Sequence, residues 1–502
     1  MSYAALTEHF RRHSHLRHVE AITSWDESTM MPPGGGSARG DALSTLRGIL
    51  HQHATEPGLA DLFAAASAET ANLSPWQRAN LREMEREWVR ATALSQNLVE
   101  AMSRAESRSE QAWRKLRPDN DFAGFLPFFR EVVRLKREAA QAWGDRLSLS
   151  PYDALVDGFE PGARAKLIAP LFARLREFLP GLIAQVCERQ ASEPVAVCEG
   201  PFSVERQRWL GLELMRRIGF DFNHGRLDTS HHPFCGGVAT DVRITTRYDL
   251  GDYTKSMMSV LHESGHAKYE QNLPRDWVGQ PVGAPRGMSI HESQSLLVEM
   301  QVCRSRAFAE FAAPIIGQAF PDGIAIAPHA FRPDNLFGQL TRVRRSLIRV
   351  EADEATYPCH IVLRFELEKG LIDGSLRPED VPEAWDAGMR ESLGLSTLGN
   401  DRDGCMQDVH WPAGLIGYFP AYTLGALTAA QLFRAARRAL PDLMDQIRRG
   451  EFGALDAWLR EKIWSQASLL ETAELVERAT GSPLGTEAFE QHLERRYLQR
   501  ES

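Results

Sequence analysis

The stretch SVLHESGHAKYEQN (residues 259–272) places two histidines and a glutamate on one turn of a predicted helix. Residues four positions apart share a helix face, so the imidazoles of His262 and His266 can reach one metal ion. Glu263 is offset by one residue and can hold a water beside the ion without being a ligand. Hydrolytic zinc chemistry needs this arrangement, because the ion lowers the pKa of the water towards ~7 and the carboxylate takes its proton.

The helix that carries this motif is predicted to run from about Tyr253 to Gln271, with Asp252 or Thr254 as its N-terminal cap. Gly265 in its middle costs helix stability, and such a glycine usually permits close packing or the approach of a ligand. The chain has 16 histidines, so a chance match to H-E-x-x-H is the alternative. A third protein ligand is needed to decide between these two interpretations.

A glutamate on a following helix supplies the third ligand in one known type of zinc site. The segment GMSIHESQSLLVEM (287–300) is typical of a helix start, with Ser289 as the candidate cap. Glu292 lies in the first turns of this segment and is the predicted ligand, while His291 is the competing one. Glu299 lies two turns further along the same face and is predicted to contact a ligand rather than the metal.

Helical periodicity dominates the rest of the chain, which predicts a mainly α-helical protein. Apolar residues recur every three or four positions in six segments, namely 77–116, 121–145, 165–190, 204–219, 335–355 and 425–448.

The segment GVATDVRITTRYD (237–249) alternates instead and predicts a β-strand just before the metal helix. Val242 and Ile244 share one face, and the other face is predicted to be wet, with Arg243, Thr245 and Arg247. An extended peptide could pair along the edge of such a strand beside the metal.

Composition limits the partners and the compartment. The 502 residues carry a net charge of −9, which argues against nucleic acid or an anionic membrane surface as the main partner. Six scattered cysteines favour reduced thiols in the cytoplasm, and the N-terminus has no apolar segment typical of a signal peptide. The most apolar run, 413–433, contains proline, glycine and tyrosine residues that a membrane-spanning helix tolerates poorly.

Several further motifs accompany H-E-x-x-H in a fixed order. They are WDESTMMPPGG (25–35), HPF (232–234), DVRIT (241–245), HESQS (291–295), IRVEAD (348–353) and GCMQDVHW (404–411). Together they resemble the carboxypeptidase Taq family of metallocarboxypeptidases, and the resemblance covers nearly the whole chain.

This resemblance implies a large, helical, deep-cleft metallopeptidase fold with a small sheet beside the metal helix. It implies one catalytic domain, 1–502, with an N-terminal helical lid region, 1–75, and a homodimer. The implied activity is the removal of C-terminal amino acids from peptides with broad specificity. His262, His266 and Glu292 would hold Zn²⁺, with Co²⁺ or Mn²⁺ as possible substitutes, and Glu263 would be the general base.

A carboxypeptidase must recognise a free terminal carboxylate, and a buried arginine that donates two hydrogen bonds is the natural device. Arg349 in the IRVEAD motif is the predicted residue. Its alternative role is an ion pair with Asp353 four residues later on a helix, and Asp353 could also orient the guanidinium. Arg243 could take the role instead, or it could simply pair with Asp241.

A peptide hydrolase also needs hydrogen-bond donors aimed at the developing oxyanion. His410 and Tyr418 are the predicted donors, and Tyr422 competes with Tyr418 for the role. His232, before Pro233, is predicted to line the cleft.

Two other functions remain open at the level of the motifs. An oligoendopeptidase would cut internal bonds of short peptides, because a closed cleft excludes proteins without dictating where a peptide is cut. A binding protein stabilised by a metal would need no chemistry at all. The presence of Glu263, His410 and Tyr418 speaks against the second alternative, because metal binding alone requires none of them.

Overall fold

The computed structural model describes residues 2–499, so both ends of the predicted domain, 1–502, lie outside the described residues. The protein is mainly α-helical with one small β-sheet, as the sequence predicts. Four helices form its N-terminal part: α1 (Ser2–Thr29), α2 (Gly36–Ala54), α3 (Leu59–Ala68) and α4 (Pro75–Thr92). Helices α1, α3 and α4 enclose a small core of their own, formed by Leu6, Phe10, Leu59, Phe63, Ala66, Leu81 and Met84.

The main core is built by the helices that follow, whose apolar faces meet in one large cluster. Five of them precede the sheet: α5 (Gln96–Leu116), α6 (Phe122–Leu147), α7 (Pro151–Phe159), α8 (Ala165–Ala191) and α9 (Val204–Arg217). Two helices follow the sheet and carry the metal motif: α10 (Tyr253–Gln271) and α11 (Gly287–Leu296), which continues as a π-helix, Leu297–Val302.

The C-terminal half contributes ten more helices to the same body. They are α12 (Arg306–Ala319), α13 (Pro321–Ile326), α14 (Pro333–Leu340), α15 (Tyr357–Asp373), α16 (Val381–Leu393), α17 (Pro420–Ala439), α18 (Leu443–Arg449), α19 (Gly453–Lys462), α20 (Thr472–Thr480) and α21 (Glu487–Leu493). A second π-helix, Glu494–Gln499, follows α21. Within residues 2–499, none of the helices combines the length and the apolar character needed to cross a lipid bilayer.

The sheet has three short strands, β1 (Gly225–Thr229), β2 (Cys235–Val238) and β3 (Asp241–Thr246). Strand β3 lies in the middle, parallel to β1 and antiparallel to β2. Val242 and Ile244 are fully buried, as their alternation predicts.

The prediction of one strand over 237–249 is wrong, because its first residues belong to β2 and β3 ends at Thr246. The predicted wet face is also only partly correct. Thr245 is fully buried, and its hydroxyl accepts a 2.7 Å hydrogen bond from Ser230 Oγ.

Helix α10 has the predicted bounds and packs on the sheet through Val260 and Ala267. Of the two candidate caps, Asp252 is the one used, since its carboxylate accepts from the backbone N–H of Thr254 at 2.9 Å. Helix α11 begins at Gly287, so the prediction of Ser289 as its cap is wrong.

The carboxylate of Glu160, which follows α7, instead caps the N-terminus of α11, although the two segments are far apart in sequence. Its Oε2 accepts from the backbone N–H of Ser289 at 2.7 Å.

Two glycines let the neighbouring helices approach α11 closely. A Cβ at Gly265 of α10 would lie 2.5 Å from the Cα of Ser295. A Cβ at Gly425 of α17 would lie 2.8 Å from the Cβ of Glu292. Helix α11, which carries Glu292, is therefore packed closely between α10 and α17 at these two glycines.

The predicted helix over 335–355 is wrong beyond Leu340, where α14 ends. Side chains replace the helical hydrogen bonds that follow: the N–H of Val343 donates to Gln190 and that of Arg344 to Asp353, both at 2.9 Å. The predicted segments 77–116 and 425–448 are helical, but each consists of two helices with a short break.

Candidate metal centre and active site

Three side chains from α10 and α11 converge as a possible metal site. Nε2 of His262 lies 3.7 Å from Glu292 Oε1, and Nε2 of His266 lies 3.4 Å from Glu292 Oε2. One ligand atom from each residue lies within 4.8 Å of the others, and no other such group occurs among residues 2–499. Two imidazole nitrogens and one carboxylate match the donor set of catalytic zinc sites, so these residues fit the metal that the sequence implies.

The charges around this cluster favour a cation. Burial disfavours a charge on His262, but its hydrogen bond to Glu299 and the charges of Glu292 and Glu263 outweigh burial and raise the pKa of His262 to about 10. Burial also opposes the charge of Glu292, yet the hydrogen bond from His266 and the charge of His262 hold its pKa below the usual range. A divalent ion would supply the positive charge that a proton on His262 supplies here, and its binding would release that proton.

Glu263 follows His262 in α10 and is a buried residue, 7% exposed. Burial raises the pKa of Glu263 to about 7, and His262 opposes this rise while Glu292 adds to it. A carboxylate with a pKa near neutrality can both accept and return a proton under physiological conditions. The role of general base stays a prediction for Glu263.

The Nδ1 atom of each histidine in the cluster contacts a residue outside the cluster. Nδ1 of His262 lies 2.9 Å from Glu299 Oε2, the contact that the sequence predicts for Glu299. The second oxygen of Glu299 accepts from Arg304 at 2.7 Å. Glu299 belongs to the π-helix Leu297–Val302.

His291, the competing ligand, does not face the cluster. Its Nδ1 lies 2.6 Å from Nδ1 of His266, on the side of that ring opposite Glu292. Its Nε2 lies 2.9 Å from Glu270 Oε1. The structure therefore brings Glu292 to the predicted metal position and leaves His291 behind His266.

Arg349 lies in a short 3₁₀ turn, Arg349–Glu351, and its side chain is only 5% exposed. Its Nε and Nη2 donate to Oδ1 of Asp408 at 3.0 and 2.8 Å, and its Nη1 donates to the Tyr357 hydroxyl at 2.8 Å. The suggested ion pair with Asp353 is wrong, because Asp353 accepts from backbone N–H groups, including that of Arg344.

Asp408 is shared by two arginines. Its other oxygen accepts from Nε and Nη2 of Arg364 at 2.8 and 2.5 Å, and Arg364 is fully buried. Burial opposes the charge of Asp408, but Arg349 and Arg364 keep its pKa far below the usual range. Two cations and one anion leave this cluster with a net charge of about +1 before any substrate arrives.

Asp408, Arg364 and Tyr357 are not among the site residues predicted from the sequence. Asp408 stands inside the motif GCMQDVHW, so its presence beside His410 was the available signal. Arg364 and Tyr357 lie on α15, which carries no motif, and only the folded chain brings them to Arg349.

His410 and both candidate tyrosines meet next to this arginine cluster. Nε2 of His410 lies 3.1 Å from the hydroxyl of Tyr422, while the His410 and Tyr418 rings are 5.7 Å apart between centroids. Burial and the nearby charge of Arg349 lower the pKa of His410 to about 3. His410 is therefore neutral across the physiological pH range.

Arg243 is engaged by its neighbours in the sheet and the N-terminal region. It donates to both oxygens of Asp241, at 2.9 and 2.6 Å, and its Cζ lies 4.6 Å from the centre of the Trp25 ring. The alternative pairing with Asp241 is thus the one observed. His232 is exposed, and its Nδ1 lies 2.8 Å from the carbonyl oxygen of Pro233.

Comparison with known proteins adds an independent finding. The family model described as carboxypeptidase Taq (M32) metallopeptidase matches residues 5–497. The chain is 38% identical to thermostable carboxypeptidase 1 of Thermus thermophilus, over 99% of this chain and 98% of that protein.

Solved structures agree. Metallocarboxypeptidase 1 of Trypanosoma cruzi is 43% identical and superimposes with a TM-score of 0.96 over 99% of both chains. The M32 carboxypeptidase of Deinococcus radiodurans is 35% identical, with a TM-score of 0.93 over 99% of both chains.

Proposed function

Because the chain belongs to the carboxypeptidase Taq (M32) family and is a metallocarboxypeptidase, a peptide hydrolase, we propose specific roles for its residues in releasing amino acids from peptide C-termini. The observation that carries the proposal is the convergence of His262, His266 and Glu292 beside Glu263. The full-length likeness to named carboxypeptidases supports this activity over the oligoendopeptidase alternative. Broad specificity for the released residue is part of the proposal.

We propose that Nε2 of His262, Nε2 of His266 and the carboxylate of Glu292 hold Zn²⁺, with Co²⁺ or Mn²⁺ as substitutes. When bound, such an ion lowers the pKa of a coordinated water and polarises the substrate carbonyl. Glu299 keeps the His262 ring in place through its 2.9 Å contact with Nδ1.

Glu263 acts as general base and then as general acid. Its carboxylate takes a proton from the attacking water and gives it to the nitrogen of the leaving amino acid. The buried position of Glu263 supports this role, because burial raises the pKa of its carboxyl group and makes the carboxylate a better proton acceptor.

Arg349 binds the terminal carboxylate of the peptide. Its hydrogen bonds to Asp408 and Tyr357 use three of its five N–H groups, and among the described residues one N–H on Nη1 and one on Nη2 have no hydrogen-bond partner. Those two N–H groups are the donors that we assign to the terminal carboxylate. The net charge of about +1 on the cluster with Arg364 supports the role.

The oxyanion that forms at the scissile carbonyl needs a donor, and we propose that a tyrosine next to neutral His410 supplies it. The 3.1 Å contact with His410 favours Tyr422, and Tyr418 is the second candidate. His232 contributes to the wall of the cleft near His410.

Three broader features complete the proposal. Residues 1–75 form a lid, supported by the separate core of the N-terminal helices and by the contact of Trp25 with Arg243. The protein is cytoplasmic, supported by six cysteines that are all free. It forms a homodimer, as its family resemblance implies.

A time course on unmodified peptides, followed by mass spectrometry with and without a chelator, tests the function. We expect products that shorten by single residues from the C-terminus, and no products after chelation. Fragments from internal bonds would instead indicate an oligoendopeptidase.

A further inference from the structure

The two histidines of the metal centre have chemically different outer partners. His262 faces the carboxylate of Glu299, whereas His266 faces the imidazole of His291. A histidine that binds a metal through one ring nitrogen usually donates the N–H of its other ring nitrogen to a carboxylate, a carbonyl oxygen or a water. A contact of 2.6 Å between two ring nitrogens requires that one of them carries a proton and the other does not.

The direction of this hydrogen bond follows from the position of Glu292. Nε2 of His266 faces the carboxylate of Glu292 and is the atom that would bind the metal. A neutral imidazole that binds a metal through Nε2 carries its proton on Nδ1. In the metal-bound protein, Nδ1 of His266 is therefore the donor, and Nδ1 of His291 is the acceptor.

Glu270 fixes His291 in the form that can accept. A neutral His291 with a free Nδ1 carries its proton on Nε2, and that nitrogen lies 2.9 Å from Glu270 Oε1. A carboxylate accepts but cannot donate, so it selects the tautomer with the proton on Nε2. The series Glu270, His291 and His266 is thus consistent at every hydrogen bond.

The same two helices supply both the ligands and their supports. Helix α10 carries His266 and Glu270 one turn apart, and α11 carries His291 and Glu292 side by side. Rotation of either helix would break the outer hydrogen bonds and the ligand cluster together.

We propose that His291 and Glu270 are positioning residues that orient the His266 ring for the metal and strengthen it as a ligand. The proposal rests on the metal centre of the proposed function. Loss of an outer partner of this kind typically weakens metal affinity by about 10- to 100-fold.

The test compares His291→Asn with His291→Leu, two side chains of nearly the same size and shape. The asparagine carbonyl can accept from His266 Nδ1, while leucine cannot accept at all. Zinc affinity is measured on the full chain by competition with a chromogenic chelator. We expect His291→Leu to bind zinc about 10- to 100-fold more weakly than the unchanged protein, and His291→Asn to recover most of that loss.

A second matched pair covers the case in which the His291 variants fold poorly. Glu270→Gln keeps an oxygen that can accept from His291 Nε2, while Glu270→Leu removes it. We expect Glu270→Leu to weaken zinc binding by about tenfold and Glu270→Gln to weaken it less. Melting temperatures of the metal-free variants measure any general loss of stability.

Equal zinc affinity within each pair would overturn the proposal, because packing rather than hydrogen bonding would then explain both results. The variant Glu292→Ala separates this outcome from failure of the metal centre itself. If Glu292→Ala also binds zinc like the unchanged protein, the centre is elsewhere. If only Glu292→Ala loses zinc, the centre stands and the roles of His291 and Glu270 are wrong.

Discussion

Nε2 of His410 lies 3.1 Å from the hydroxyl oxygen of Tyr422, although the His410 ring is about as far from the Tyr418 ring, at 5.7 Å between centroids, as from the Tyr422 ring, at 5.9 Å. If Tyr422 supplies the oxyanion donor, Tyr422→Phe should lower kcat by roughly ten- to a thousandfold with a modest change in KM. Tyr418→Phe is the matched control and should lower kcat less than Tyr422→Phe does. Steady-state kinetics on one short peptide compare the two, and a larger loss for Tyr418→Phe would reverse the assignment.

Variants at Glu263 and Glu292 should distinguish the loss of catalysis from the loss of metal binding. Glu263→Gln should keep zinc and lose nearly all turnover, because the water loses its base. Glu292→Ala should lose zinc, because only two imidazoles remain. Metal content after dialysis, measured together with kcat, checks both. The opposite pattern, with zinc lost from Glu263→Gln and kept in Glu292→Ala, would contradict the assigned roles.

The fall of kcat/KM at acid pH should reflect the protonation of Glu263. The base must be deprotonated, so kcat/KM should fall as the pH drops through the pKa of Glu263. Burial raises this pKa to about 7 from an ordinary value of 4.5, and the positive charge of a bound ion pulls it back down. We expect an apparent pKa between 4.5 and about 7 for the zinc-loaded enzyme. An acid limb above pH 7 would point to another group.

Amidation of the peptide C-terminus should slow cleavage by about a hundredfold or more. The amide removes the charge that Arg349 is proposed to bind, a loss on the order of 2–5 kcal/mol for a buried charge pair. Blocking the N-terminus is the control and should matter little. Arg349→Ala should remove most of the difference between free and amidated peptides, mainly by slowing the free one. Rapid cleavage of amidated peptides would contradict this role.

The variant Arg349→Lys refines the same test. Lysine keeps the charge but cannot donate the two parallel hydrogen bonds of a guanidinium. We expect it to retain part of the preference for a free carboxylate and to lose part of the rate. A rate equal to that of the unchanged enzyme would mean that charge alone suffices.

Gly265→Ala should lower both stability and zinc affinity. Its Cβ would lie 2.5 Å from the Cα of Ser295, so α10 and α11 would have to move apart. Gly181→Ala is the control, because Gly181 lies exposed within α8 with no atom within 4 Å of an added Cβ. That change should stabilise by about 0.5–1 kcal/mol. Thermal unfolding and zinc competition provide the two readouts. If Gly265→Ala has the melting temperature and zinc affinity of the unchanged protein, the helices can separate without cost.

Local patterns predicted the metal helix well. Its bounds depend on a cap at Asp252 and on periodicity within one segment, which a sequence displays directly. The cap of α11 was missed because Glu160 supplies it from 129 residues away. The helix predicted over 335–355 failed for a similar reason, since Gln190 and Asp353 satisfy a backbone whose apolar spacing resembles that of a helix.

Long-range ion pairs were also beyond the reach of the sequence. Arg349 and Asp353 are neighbours in the chain and suggested a pair, whereas the observed partner, Asp408, lies 59 residues away. The tertiary fold decides which arginine pairs with a buried carboxylate, and the spacing of the two residues along the sequence does not predict that pairing.

The fixed guanidinium of Arg349 has a consequence for how a long peptide is processed. Asp408 and Tyr357 hold Arg349 in place, so on the proposed assignment this anchor cannot follow the substrate. Each cleavage creates a new terminus one residue, ~3.3 Å, short of the anchor. The released amino acid must leave before the shortened peptide can advance or dissociate. Free amino acids therefore compete with the next cycle, and the balance between advance and dissociation decides whether trimming is processive.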